Sequence, residues 1–150
     1  MIYIIIIALI ATSDLCTKRY INKKYAVGEK KEIIRNNFFL WHVKNSGFSF
    51  SKHSGHIKTV VSVAVSFTVA VIAYLLYLLP YKEENLLKLG LAFSAGGSLG
   101  NLYERIYKRK VTDFLYIKFK KAPIFNVADI FIFIGGFIIM VASFNKKNIK

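Results

Sequence analysis

Between Thr59 and Leu79 the chain runs for 21 residues without a charged side chain (TVVSVAVSFTVAVIAYLLYLL). A helix rising 1.5 Å per residue needs about 20 apolar residues to cross the hydrocarbon of a bilayer. This segment therefore predicts a membrane-spanning helix. Pro80 ends it, and Tyr81–Asn85 reads as a tight turn. A chain built around such a segment has few options beyond further spans of the same kind, since backbone polar groups in lipid must be satisfied within helices or closed barrels.

Three more spans follow from the same reasoning. Residues 1–13 carry no charged side chain, and apolar character resumes at Tyr20 and Ile21. A cleaved signal peptide would need a basic start and a small-residue cleavage site, and neither is present. The segment predicts a first transmembrane helix over about 2–21, with Asp14 and Lys18 in its last turns. A third span covers about 86–105 and contains Gly90, Gly96, Gly97 and Gly100, small residues that let a second helix approach closely. The fourth covers about 123–144. The expectation is one integral-membrane domain, 1–150, mainly α, with four transmembrane helices. Its hydrophobic fraction of 55% exceeds the roughly 45–50% of soluble domains, and the excess gathers in these blocks.

Between the first two spans, residues 22–56 form a polar, basic connection. Within it Glu32–Val43 (EIIRNNFFLWHV) is rich in β-branched and aromatic residues, which predicts short strands near the membrane surface. Trp41 and His42 fit an interfacial position there. Residues 104–121 read as a second charged connection, with Lys108–Lys110 a headgroup-facing turn.

The net charge of +14, from 22 basic and 8 acidic residues, suggests nucleic acid or an anionic membrane as neighbour. No zinc-finger spacing, RNP-type sequence or basic heptad helix supports nucleic-acid binding. Lys and Arg at helix ends meeting phospholipid headgroups is the simpler account. Counting Lys and Arg in the loops alone would place both termini outside. The single cysteine, Cys16, excludes an internal disulfide and a cysteine-based metal site. Because Asp14 and Leu15 precede it, it is not a lipid-attachment cysteine but a small apolar residue near a helix end. His42, His53 and His56 lack metal-ligand spacing.

A carboxylate inside a bilayer costs about 2.5–3.5 kcal/mol on insertion scales. Asp14, Glu104, Asp113 and Asp129 all fall toward the same side of four alternating spans. Asp129 stands out because apolar residues surround it (FNVADIFIF). Two carboxylates facing each other away from water cannot both ionise cheaply, which leaves a protonated acid beside an ionised base. Such a pair can activate water against an amide and protonate the departing nitrogen. Asn101 and Arg105, four apart, share a helical face, and Asn126 lies three before Asp129. Interhelical hydrogen bonding would use these residues equally well, and Asp14 with Lys18 would make a plain helix-end ion pair.

In order along the chain, these residues resemble the motif series of the lipoprotein signal peptidases (signal peptidase II). Asp14–Lys18 (DLCTK) resembles Asp-Gln-x-Thr-Lys, and Asn45–Phe50 (NSGFSF), which includes Gly47, resembles Asn-x-Gly-Ala-x-Phe. Gly96–Arg105 (GGSLGNLYER) is similar to Gly-Gly-x-x-Gly-Asn-x-x-Asp-Arg, while VTDF at 111–114 and FNVAD at 125–129 match the segments holding the family's aspartates. The resemblance implies four transmembrane helices with a small extracytoplasmic β-cradle, both termini cytoplasmic and the active site near the outer face. Asp113 and Asp129 would be the catalytic pair, acting on water without metal or cofactor. Asp14, Lys18, Asn45, Gly47, Asn101, Arg105 and Asn126 would bind substrate or brace the pair. The substrates would be diacylglyceryl-modified prolipoproteins, cut just before the lipidated cysteine by a monomer in the bacterial cytoplasmic membrane, with phospholipids as the other neighbours. Leu15, Phe48 and Glu104 depart from the motifs, replacing Gln, Ala and Asp. Two other readings start from the same residues. One is an inactive relative that binds lipidated peptides. The other is a small four-helix transporter, with Asp14 and Asp129 as cation sites.

Overall fold

The computed structural model describes residues 1–47, 57–119 and 122–147. Four helices, α1 (Ile2–Lys24), α2 (Ile57–Leu78), α3 (Asn85–Lys108) and α4 (Val127–Lys147), accompany three strands, β1 (Lys30–Ile34), β2 (Phe38–Asn45) and β3 (Val111–Ile117). His53, His56, Phe48 and the last residues of the basic tail lie outside the described residues.

Helix α3 is the centre of the bundle and packs against α1, α2 and α4, whereas α2 packs mainly along α3. The glycines decide how close these approaches are. A Cβ on Gly97 would collide with the carbonyl oxygen of Ala128 on α4, and one on Gly100 would collide with Asp14 Oδ2 on α1. Backbone cannot yield as a side-chain tip can, so Gly97→Ala is expected to cost about 1–3 kcal/mol through overpacking. Gly136→Ala, which meets nothing within 4 Å, should change stability by under about 0.5 kcal/mol. Thermal unfolding in detergent would compare the two, and equal losses would contradict this account of the α3–α4 contact.

An apolar cluster of Val71, Leu75, Leu78, Leu87, Leu91, Ala92 and Ala95 fills one end of the bundle, flanked by Tyr3, Ile6, Ile7 and Ile139. Polar side chains collect at the other end, under the sheet. Two helices, Ile57–Leu78 and Val127–Asn145, are long and apolar enough to cross a membrane by composition alone. Helices α1 and α3 are as long, at 23 and 24 residues, but carry charges. Four of those charges, Asp14, Lys18, Lys88 and Glu104, are buried, while Arg19, Lys23, Lys24 and Lys108, toward the sheet end of the two helices, are exposed. Elsewhere their outer faces stay apolar, as with the exposed Ile2, Ile4, Ile5 and Leu9 of α1.

The strands form one antiparallel sheet in the order β1-β2-β3. Two strands fall where the sequence predicts them. The third was not anticipated: β3 lies within residues read as a charged connection, although VTDFLYI is rich in β-branched and aromatic residues. It pairs with β2 through Val43↔Asp113 and Asn45↔Val111, with an irregularity between Leu40 and Val43. Helix α4 starts at Val127 rather than near 123 because Phe125 still exchanges backbone hydrogen bonds with Leu115, at 2.9 and 2.8 Å. His42 is a further correction. It is buried rather than interfacial, with Nδ1 2.9 Å from the carbonyl oxygen of Tyr25 and Nε2 3.2 Å from Asn22 Oδ1.

Candidate active site

Asn126 closes the gap between strand and helix. As the residue before α4 it caps that helix reciprocally with Asp129. Its Oδ1 accepts the Asp129 N–H at 3.0 Å, and its own N–H donates to Asp129 Oδ2 at 3.1 Å. This is a capping box built from Asn and Asp, and it fixes the Asp129 carboxylate in the first turn of α4, where the helix dipole favours negative charge. The Asn126 side-chain amide donates its two hydrogens elsewhere, to Asp113 Oδ1 at 2.7 Å and to Asn101 Oδ1 at 3.1 Å. One fully buried amide therefore touches both aspartates and the asparagine of α3.

Each aspartate has its own second donor. Asn45 Nδ2 reaches Asp113 Oδ2 at 3.1 Å, and Asn101 Nδ2 reaches Asp129 Oδ1 at 2.8 Å. Asp113 and Asp129 line one cavity of about 310 Å³ with Asn45, Asn101, Arg105 and Phe133. Asp113 is 4% exposed. Burial, then the nearby charge of Asp129, pushes its carboxyl up to about 7, against the opposing hydrogen bonds from Asn45 and Asn126. Arg105 donates to the carbonyl oxygen of Gly47 at 3.1 Å, and the Gly47 N–H donates to Asn45 Oδ1 at 2.9 Å. The end of β2 is thereby tied to α3.

Beneath the pair lies a second polar layer. Lys18 Nζ sits 2.6 Å from Asp14 Oδ2, 2.7 Å from Asn101 Oδ1 and 4.0 Å from Glu104 Oε2. Asp14 Oδ1 accepts the Ala128 N–H at 2.9 Å, satisfying another free donor at the start of α4. Asp14 and Lys18 are thus a buried brace rather than a helix-end pair at the surface. Glu104, fully buried, accepts the Thr112 N–H at 2.7 Å, the Thr112 hydroxyl at 3.0 Å and Lys108 at 2.8 Å. The longer side chain at this departure from the motif is fully engaged, and it holds the residue next to Asp113.

The described candidate site residues converge here, and three participants went unnoticed. Thr112 Oγ1 also takes Lys44 Nζ at 2.8 Å and Asn22 Nδ2 at 3.2 Å; Asn22 in turn accepts from Lys44 and faces His42. Asn22 was legible, for Asp14, Lys18 and Asn22 recur every four residues and form a polar stripe on an apolar helix.

Comparisons with known proteins point to one family. The family model for signal peptidase (SPase) II matches residues 6–145. Lipoprotein signal peptidase of Clostridium novyi (strain NT) is 36% identical over 135 residues, 87% of this chain and 88% of that protein. Its counterpart in Clostridium acetobutylicum is 34% identical over 145 residues, 94% and 91% of the two chains. Two solved bacterial membrane enzymes share the fold. One has a TM-score of 0.85 at 23% identity, covering 99% of this chain and 90% of its own. The other has a TM-score of 0.78 at 24% identity, covering 93% and 90%.

Proposed function

This chain belongs to the signal peptidase II family, and from that premise we propose that Asp113 and Asp129 are the acid and base of its peptidase chemistry. Membership makes it a membrane aspartic endopeptidase that removes signal peptides from prolipoproteins. The substrates we propose are those whose future N-terminal cysteine already carries diacylglyceryl, with the cut immediately before that cysteine.

One observation carries the assignment: a single residue, Asn126, bonds both carboxylates of one cavity, Asp113 through its side-chain amide and Asp129 through its backbone N–H. Asp129, in the first turn of α4 and bonded by Asn101, is the base. Asp113, buried and facing it, holds the proton. A water positioned by Asp129 loses a proton to it while its oxygen adds to the scissile carbonyl. Asp113 then gives its proton to the departing nitrogen as the C–N bond breaks. Arg105 stands at the same cavity with a planar set of donors suited to substrate carbonyls. Asp14, Lys18 and Glu104 hold the frame.

All four helices cross the membrane in this reading. α1 and α3 do so with Asp14, Lys18, Lys88 and Glu104 turned into the bundle, and the sheet and active site lie at the extracytoplasmic face with both termini inside. An apolar cavity of about 210 Å³ between α2, α3 and α4 includes Val63, Phe67 and Leu102, and it shares Asn101, Arg105 and Ile132 with the catalytic cavity. Its position suits the apolar part of the substrate. The enzyme works as a monomer among phospholipids.

The pH profile tests the division of labour. A carboxyl raised to about 7 is protonated below that pH and loses its proton above it. kcat/KM for a lipidated substrate peptide should therefore fall about tenfold per unit on the alkaline side. The inflection belongs to the pair rather than to one residue. A profile flat to pH 9 would remove Asp113 as the acid.

A further inference from the structure

Away from the apolar side, the catalytic cavity continues over the sheet. It shares Asn45, Asp113, Pro123 and Ile124 with another cavity of about 330 Å³, whose far wall includes Trp41 and Tyr116. Trp41 lies two residues along β2 from Val43, the partner of Asp113, a distance of about 7 Å along a strand. An extended peptide leaving the aspartates would reach these rings with its second or third residue.

The rings are not bare. Trp41 and Tyr116 stand edge to face with centroids 5.4 Å apart, and Phe39 lies 6.0 Å from Tyr116. Lys30, opposite Trp41 in the β1–β2 register, places its Nζ 4.4 Å from the Phe39 ring centre, 4.7 Å from Trp41 and 4.9 Å from Tyr116. Three π-faces fix one ammonium at the rim of the cavity. None of the ion pairs among the described residues involves Lys30. The nearby acids Glu29 and Glu32 accept the backbone N–H groups of Ala26 and Asn36. The charge of Lys30 is therefore held in place without a carboxylate on it.

We propose that this cavity receives the mature side of the substrate, and that Lys30 makes the enzyme favour acidic over basic side chains at the second and third residues of the released chain. The inference rests on the peptidase reading and assigns a subsite to it. The apolar cavity among the helices suits the signal segment and lipid. The part of the substrate destined for water is left to pass over the sheet.

The test uses lipidated peptides that differ only in Asp, Ser or Lys at those two positions, competed in one detergent at low salt. The parent should cut the Asp peptide about threefold better than the Lys peptide, the size of an exposed charge pair, and 1 M salt should shrink the ratio. Lys30→Met keeps the aliphatic stem on the rings and should bring the ratio to about one, Lys30→Glu should invert it, and Lys30→Arg should preserve it. A merely structural strut would lower all three peptides together, and that result overturns the proposal. So would a parent ratio of one. If the folded parent cuts none of the peptides, the peptidase reading falls and this subsite with it, a result distinct from cleavage without discrimination.

Discussion

Asp113→Asn and Asp129→Asn should each lower cleavage of a lipidated prolipoprotein peptide by about 10⁴-fold, close to the upper range for loss of a general acid or base. Asparagine keeps the size of the side chain and can still accept one hydrogen bond, so binding should survive. It can neither take the proton from water nor supply one to the leaving nitrogen. Because the two carboxylates act as a unit around Asn126, the double variant should be little worse than either single one, as when linked catalytic groups are removed together. The assay compares purified variants, checked for folding by thermal unfolding, against the parent under one set of conditions. Residual activity within tenfold of the parent in either variant would exclude that residue from the chemistry. A folded parent that binds the lipidated peptide without cutting it would point to the inactive binder.

Lys18→Met should be the most damaging substitution for stability, at about 3–5 kcal/mol. The side chain is 1% exposed and serves Asp14 at 2.6 Å, Asn101 at 2.7 Å and Glu104 at 4.0 Å. Methionine fills the volume but removes the cation between two fully buried carboxylates. Leaving a buried charge unpaired costs far more than replacing a whole pair by apolar groups. Hence Asp14→Asn combined with Lys18→Met should recover part of the loss, since one of the stranded charges is gone. Unfolding midpoints in detergent for the single and double variants decide the matter. Equal stability of the Lys18→Met variant and the parent would show that the polar layer is not a brace.

The helices were readable in the sequence because lipid imposes a length and a polarity that few other environments demand. Thr59–Leu79 and α2 differ by only two residues at the start and one at the end. The catalytic candidates were readable for a related reason: Asp129 stands among apolar neighbours where a carboxylate is costly. Strand β3 was hidden because seven residues between charged flanks give periodicity little room, and its pairing with β2 is set by contacts that sequence separation conceals. His42 misled through its neighbour. Trp41 is half-buried against Tyr116, but on a strand successive side chains alternate, and the next residue turns toward α1. Glu104 could be suspected from its motif, whereas its bonds to Thr112 depend on how α3 meets β3.

Under the proposed function, the apolar cavity between α2, α3 and α4 fixes the medium in which substrate is counted. Val63 and Phe67 of α2 and Leu102 of α3 wall it along the helices, so under the proposed function a lipid-anchored substrate reaches it from within the membrane sheet. The relevant concentration is then the number of substrate molecules per lipid, not per litre. Adding detergent or lipid at constant molar substrate thins the substrate on the surface and slows encounter in two dimensions, even though no bulk concentration has changed. Affinities for this protein are comparable between preparations only when expressed as mole fractions of the amphiphile that surrounds it.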